Sequence, residues 1–113
     1  MCICGGGHLR YYISGQIANN PTYQADFERA EMWLKLKGYE VINPSKHYLT
    51  CLDYAEIMQV DLLLLSMCDG IYMLSNWEQS NGAKTELAVA KSLGKKVKFE
   101  SKQWAIRPKE VNK

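Results

Sequence analysis

Gly70-Ile71-Tyr72-Met73-Leu74-Ser75 is a short apolar run. It is followed by the polar stretch Asn76 to Asn81, a helical stretch from about Gly82 to Leu93 closed by Gly94, and Lys95-Lys96-Val97-Lys98-Phe99. The first piece has the length and residue types of a buried strand, and the last alternates lysine with apolar residues as a half-covered strand does. Gly94 stands where a helix C-cap glycine belongs. Strand, loop, helix and strand in this order make a β-α-β unit, whose two strands run parallel.

The same alternation extends towards the N-terminus. Leu9 to Ser14 is an apolar, aromatic run ending at Gly15, and reads as a buried strand. Gln16 to Asn20 is a polar loop. Asn20-Pro21 has the form of a helix start, with Asn as N-cap and Pro at the first helical position. Tyr23, Phe27, Ala30 and Leu34 follow at helical spacing, and Gly38 closes the segment. Tyr39 to Asn43 is a second strand, stopped by Pro44, and Ser45 to Cys51 is a loop. A helix from about Leu52 to Met67 carries Tyr54, Met58, Asp61 and Leu65 on one stripe. The tail beyond Phe99 reads as a fifth short strand or a turn, with Trp104 and Ile106 packed back. The expected fold is α/β: three layers, a mostly parallel sheet of four to five strands, and helices on both faces, Rossmann- or flavodoxin-like. Residues 1–8 read as a flexible leader and 9–113 as a single domain.

Composition narrows the function. The chain has 113 residues, 47% hydrophobic and 23% charged, with a net charge of +2. That is ordinary for one globular domain and lacks the basic footprint of a nucleic-acid binder. The lysines of the tail read as solvated surface. No run of about 20 apolar residues is present to span a membrane, and the N-terminus does not read as a signal peptide. A cytoplasmic location is expected, in which Cys2, Cys4, Cys51 and Cys68 need not pair. Cys2, Cys4 and His8 lack a fourth ligand and the usual wider spacing, so neither metal nor cofactor is expected.

In open parallel sheets ligands bind outside the carboxyl ends of the strands. The three loops there hold Ser14, Gly15, Gln16, Asn19, Asn43, His47, Trp77, Ser80, Asn81 and Gly82. Ser80-Asn81-Gly82 leads into a helix, a place that suits an anion or simply a cap. The glycines of a dinucleotide fingerprint are absent from the first loop, since Gly5-Gly6-Gly7 precedes the strand. Glu86 has Ala83 and Ala90 on its helix face, which leaves room for a ligand. Asp61 stands among Val60, Leu62, Leu63, Leu64 and Leu65, an expensive place for an unpaired carboxylate. Two acids from separate helices can form the carboxyl pair of glycosyl chemistry. Equally, Asp61 caps a loop or pairs with a lysine, and Glu86 is exposed. Asp69 reads as a turn residue.

Taken together, Tyr12-Ile13-Ser14-Gly15, Asn43-Pro44, Asp61 and Trp77 to Glu86 resemble the nucleoside 2-deoxyribosyltransferase superfamily. That superfamily includes the 2′-deoxynucleoside 5′-phosphate N-hydrolases, and the likeness is nearest to a set of often phage-encoded members. It covers roughly residues 9 to 99. The resemblance implies that Glu86 is the nucleophile, Asp61 the acid/base partner and Tyr12 the hydroxyl that positions the nucleophile. Gly15 would bring backbone close to the sugar, and Ser14, Gln16, Asn43, Ser80, Asn81 and Gly82 would belong to the substrate site. We add Trp77 as a residue that stacks on a base or shapes the pocket. Transferases acting on free nucleosides carry Asp six residues before the nucleophile, whereas the monophosphate hydrolases carry Ser, with Gly two later. Ser80 and Gly82 match the latter. The phosphate-clamping Arg of those hydrolases is replaced by Ala18. Either Arg10 or a lysine substitutes, or phosphate binds through Ser80 and backbone alone.

The implied activity is cleavage of the base–sugar bond of a nucleoside or deoxynucleoside 5′-monophosphate. The alternatives are a nucleoside 2-deoxyribosyltransferase and a non-catalytic binder of a nucleotide or NAD-derived signal. The partners are a small nucleotide or nucleoside, with no nucleic acid and no membrane. The resemblance also implies a homodimer or higher oligomer. The apolar run Val60 to Leu65 suits such an interface or a fully buried helix.

Overall fold

The computed structural model describes residues 8–47 and 51–101. The elements are β1 (Arg10–Ser14), α1 (Tyr23–Leu36), β2 (Glu40–Ile42), α2 (Tyr54–Ser66), β3 (Gly70–Met73), α3 (Asn81–Ser92) and β4 (Lys96–Phe99). Short 3-10 turns occupy Pro44–His47 and Trp77–Gln79. The four strands form one sheet in the order β2-β1-β3-β4, and every pairing is parallel. Tyr12 is the hub of the register, opposite Ile42 on one side and Ile71 on the other. This is the three-layer α/β fold that the strand–helix alternation predicts.

The period of two along each central strand sorts its residues to opposite faces. Tyr12, Ile71 and Met73 pack with Leu65 of α2 and Ala83, Leu87 and Ala90 of α3. Tyr11, Ile13, Tyr72 and Leu74 pack on the other face with Phe27, Ala30 and Leu34 of α1. From β1 the chain steps to β2 on one side and later to β3 on the other, so the order reverses between β1 and β3. A reversal of this kind opens a crevice at the carboxyl ends of the two strands.

Two ends of helices behave differently from each other. Gly38 and Gly94 adopt φ of +92° and +73°, the left-handed conformation of a glycine that stops a helix. Asn20-Pro21 does not cap α1, which starts three residues after Asn20 at Tyr23. The Asn20 side chain bonds instead to the Gln16 carbonyl and to the Thr22 N–H, at 2.9 and 3.2 Å. It therefore folds its own loop, as Asn side chains commonly do. At α2 a capping box holds the first turn: the Glu56 N–H donates to Asp53 Oδ1 at 2.8 Å and the Asp53 N–H to Glu56 Oε1 at 3.0 Å.

Nor is α2 fully buried within one chain, since Leu63 is 61% exposed, and Met67, just past its end, 51%. Asp69 does act at a turn, accepting the Arg10 N–H at 2.8 Å. The leader with Cys2 and Cys4, and the tail with Trp104 and Ile106, lie outside the described residues.

Two buried carboxylates lock loops to helices. Glu100 accepts the Ser75 N–H at 2.9 Å and pairs with Arg29 of α1 at 2.9 Å. Glu31 accepts from Asn43 Nδ2 at 2.9 Å and pairs with Lys35 at 2.7 Å and Lys46 at 3.0 Å. Burial alone would raise the Glu31 pKa, but its bonds to Lys35, Asn43 and Lys46 outweigh burial and hold it at about 2 against an ordinary 4.5. A carboxyl lowered by folding adds stability that is fully present above about pH 4.5 and is lost as pH falls towards 2. Glu31→Gln is expected to flatten the acid limb of the stability curve between these values. It should also remove at most about 3 kcal/mol at pH 7, the solvated lysines screening part of it. Urea titrations across pH check this, and parallel acid limbs for the two proteins would refute it.

Candidate active site

Tyr12 and Ser14 are two residues apart on β1 and so lie on the face covered by α2 and α3. Ser80 caps α3, its Oγ accepting the Ala83 N–H at 3.0 Å. The cap fixes where the helix starts, and helical spacing then turns Ala83, Glu86, Leu87 and Ala90 inward together. Glu86 thus lands over the carboxyl end of β1. The Tyr12 hydroxyl donates to its Oε2 at 2.8 Å and the Ser14 hydroxyl to its Oε1 at 2.6 Å.

Glu86 is 5% exposed, and neither hydroxyl partner carries a positive charge. Burial therefore dominates and pushes its pKa from 4.5 up to about 7; the bonds from Ser14 and Tyr12 pull it down, and the nearby Asp61 charge pushes it up. Burial, and next the Glu86 charge, raise Tyr12 well above its ordinary 10, so its hydroxyl stays a proton donor. A carboxyl poised near neutrality inside a cleft is the kind of group that does acid, base or nucleophilic chemistry.

Glu86 opens onto a cavity of about 370 Å³, within the range of small-molecule sites. The β1–α1 loop supplies Gly15, Ile17 and Ala18 to its wall, and Pro44 enters from beyond β2. Tyr54, Ile57, Met58 and Asp61 come from α2, and Ser80, Gly82 and Ala83 from the start of α3. Asp61 is half-buried and shares the cavity with Glu86. No lysine or arginine lines it among the described residues. A second cavity of about 250 Å³ adjoins it across Ala18, Tyr54, Ser80 and Gly82, and adds Gln16, Asn19, Gln79 and Asn81.

The structure brings Tyr12, Ser14, Gly15, Asp61, Ser80, Gly82 and Glu86 to the main cavity, and Gln16 and Asn81 to the smaller one. Ser14 is spent on Glu86. Gly15 has a packing reason of its own, because a Cβ there would stand 2.5 Å from Leu74 Cδ1. Gln16 is tied by its N–H to Asn76 Oδ1 and by its amide to the Ala18 carbonyl, both at 3.1 Å.

Asn43 lines neither cavity. Its amide donates to Glu31, and its carbonyl oxygen accepts from Ser45 N–H and Oγ at 3.0 and 2.6 Å, so it holds the 3-10 turn that carries Pro44. Trp77 also stays out of both cavities, packing on the core beside Phe99 with ring centroids 5.9 Å apart. Arg10 sits at the opposite, amino end of β1, bonded to Glu40 and the Met67 carbonyl, too far along the strand to clamp a ligand. The wall formed by Ile57 and Met58 was not anticipated. The Tyr54–Met58–Asp61 stripe was the signal for it, but a core-facing stripe has the same spacing.

Fold and site together define a three-layer α/β protein whose buried, hydroxyl-held glutamate lies at the point where the strand order of its parallel sheet reverses. The chain belongs to the family described as Domain of unknown function (DUF4406), whose model matches residues 9–99. No curated protein matches it. Among the described residues no helix is long and apolar enough to cross a membrane.

Proposed function

We propose that the protein is an N-glycosidase that cleaves the base–sugar bond of a nucleoside or deoxynucleoside 5′-monophosphate, with Glu86 as nucleophile. The observation that carries the reading is the Glu86 carboxyl: buried, gripped on both oxygens by Tyr12 and Ser14, and facing a ligand-sized cavity that also holds Asp61. Each carboxylate oxygen accepts one hydrogen bond and keeps a lone pair for attack. A Glu86 oxygen bonds to the anomeric carbon as the carbon–nitrogen bond breaks. The electron pair leaves with the base, which takes a proton through the Asp61 carboxyl. Water then attacks the glycosyl ester, giving its proton back to Asp61, and Glu86 is released with the sugar phosphate. Ser80 in place of the transferases' aspartate supports a phosphorylated substrate.

The test is a panel of 5′-monophosphates and free nucleosides, with free base measured by chromatography. Release of base from monophosphates is the expected result. Tight nucleotide binding without release of base from any of them would overturn the reading. One observation favours a second reading: no cation lines the cavity among the described residues. A neutral nucleoside would suit such a wall, with transfer to a second base. Exchange of label into added adenine or cytosine would reveal it.

The pH profile follows from the site. An attacking carboxylate must be ionised, so base release is expected to rise with pH through about 7. The bonds from Ser14 and Tyr12 pull Glu86 down, so removing either moves that midpoint up. Tyr12→Phe and Ser14→Ala should each raise the midpoint and lower kcat about tenfold at neutral pH, with KM changed less. A midpoint that stays in place would show that these hydroxyls do not position the nucleophile.

A further inference from the structure

We infer that Tyr54 is the platform on which the substrate's aromatic ring stacks, and hence a residue that sets which ligands the cavity holds. This rests on the functional reading above, in which the ligand carries a planar heteroaromatic base. Among the described residues three aromatic side chains line the main cavity: Tyr12, Phe27 and Tyr54. Tyr12 and Phe27 are 0% exposed, sealed into opposite faces of the sheet, and offer no ring face to a ligand. Tyr54 is 64% exposed and borders both cavities.

Its place is fixed. The Asp53–Glu56 capping box sets the first turn of α2, where Tyr54 is the first helical residue. Gly82 of α3 lets it lie close, because a Cβ at that position would stand 3.2 Å from the Tyr54 hydroxyl and 3.4 Å from Met58 Sδ. Ile57 and Met58, one helical turn further on, extend the same wall with aliphatic and sulfur surface. An exposed ring beside an apolar wall recovers burial when a flat apolar ring covers it, and such stacking tolerates any base. The sugar must meet Glu86 and the phosphate the polar side of the cavity at Ser80, so the base is the part of the ligand left for this apolar wall.

Binding is to be measured in the Glu86→Gln protein, which keeps nucleotides intact. The probes are dAMP and ribose 5-phosphate, which lacks the base. Tyr54→Ala is expected to weaken dAMP about tenfold and leave ribose 5-phosphate unchanged, and Tyr54→Phe to restore the lost affinity. The purine protons of bound dAMP should shift upfield in the NMR spectrum when residue 54 is aromatic and lose that shift in Tyr54→Ala. Equal losses for both probes, no loss, a failure of Tyr54→Phe to restore affinity, or a changed oligomeric state in Tyr54→Ala would overturn this inference and leave the glycosidase reading standing. If neither the parent nor wild-type protein binds dAMP or any other nucleotide, both fall together.

Discussion

Glu86→Gln is expected to lower base release by at least about a thousandfold and, at the same time, to make the protein more stable at pH 8. The first effect follows from removing the attacking oxygen anion, since an amide cannot form the glycosyl ester. The second follows from the sign of the pKa change. A carboxyl raised by folding from 4.5 to about 7 leaves stability intact below pH 4.5 and diminishes it as pH rises through 7. At pH 8 the cost of holding the charge is about 3 kcal/mol. Glutamine cannot ionise, and Tyr12 and Ser14 can each still donate to or accept from its amide. Stability of the variant should therefore not slope downward between pH 4.5 and 7, and its melting temperature at pH 8 should exceed that of the wild type by several degrees. Denaturation across pH, run beside the base-release assay, checks both. A variant with the wild-type slope would mean that Glu86 does not titrate in this window.

Gly15→Ala is expected to destabilise the protein by about 1–3 kcal/mol, a fall in melting temperature of roughly 5–15 °C. The added methyl meets Leu74 at three atoms, 2.5 Å from Cδ1, 2.8 Å from Cβ and 2.9 Å from Cγ. A flexible tip can rotate away, but Cβ is fixed to the backbone of the residue after β3. Leu74 lies in the α1-side core, so the strain spreads into packing rather than into the cavity. Leu74→Gly, which removes that Cβ, costs stability by itself, yet in that background Gly15→Ala should add little, which a double-mutant cycle measures. If Gly15→Ala melts like the wild type and loses only ligand binding, the glycine serves close approach of the sugar instead.

The alternation of strands and helices was legible from residue type and period, with Gly15, Gly38, Pro44 and Gly94 marking where β1, α1, β2 and α3 stop. The order of the strands in the sheet was not, because no local pattern states which strand neighbours which. Glu86 was legible as a candidate because alanines at three before and four after leave a gap on its helix face. Its burial was not. The hydroxyls that hold it come from Tyr12 and Ser14, 74 and 72 residues away in sequence, and no local pattern encodes that meeting.

Asn43 and Trp77 illustrate the opposite limit. A polar or aromatic residue in a loop at the right end of a sheet looks the same whether it faces a cavity or the interior. Asn43 is consumed by Glu31 and Ser45, and Trp77 by the core and Phe99. Arg10, one of the alternatives for a phosphate clamp, is disfavoured by something the sequence does contain: it opens β1, and a ligand at the carboxyl ends is a strand's length away. Tyr54 shares its stripe with Leu65, which lies in the core, so spacing alone did not separate wall from core.

The span between Ser14 and Glu86 has a consequence for how the site comes into being. Chains emerge from synthesis amino end first, and parallel sheets close only when the later strands arrive. β1 and β2 can pair early, but Ser14 and Tyr12 wait for α3 before they meet their acceptor. The Glu86 carboxyl is thus among the last groups to be enclosed. No half of the chain, amino or carboxyl, carries both the donors and the acid, so the site comes into being only with the completed sheet.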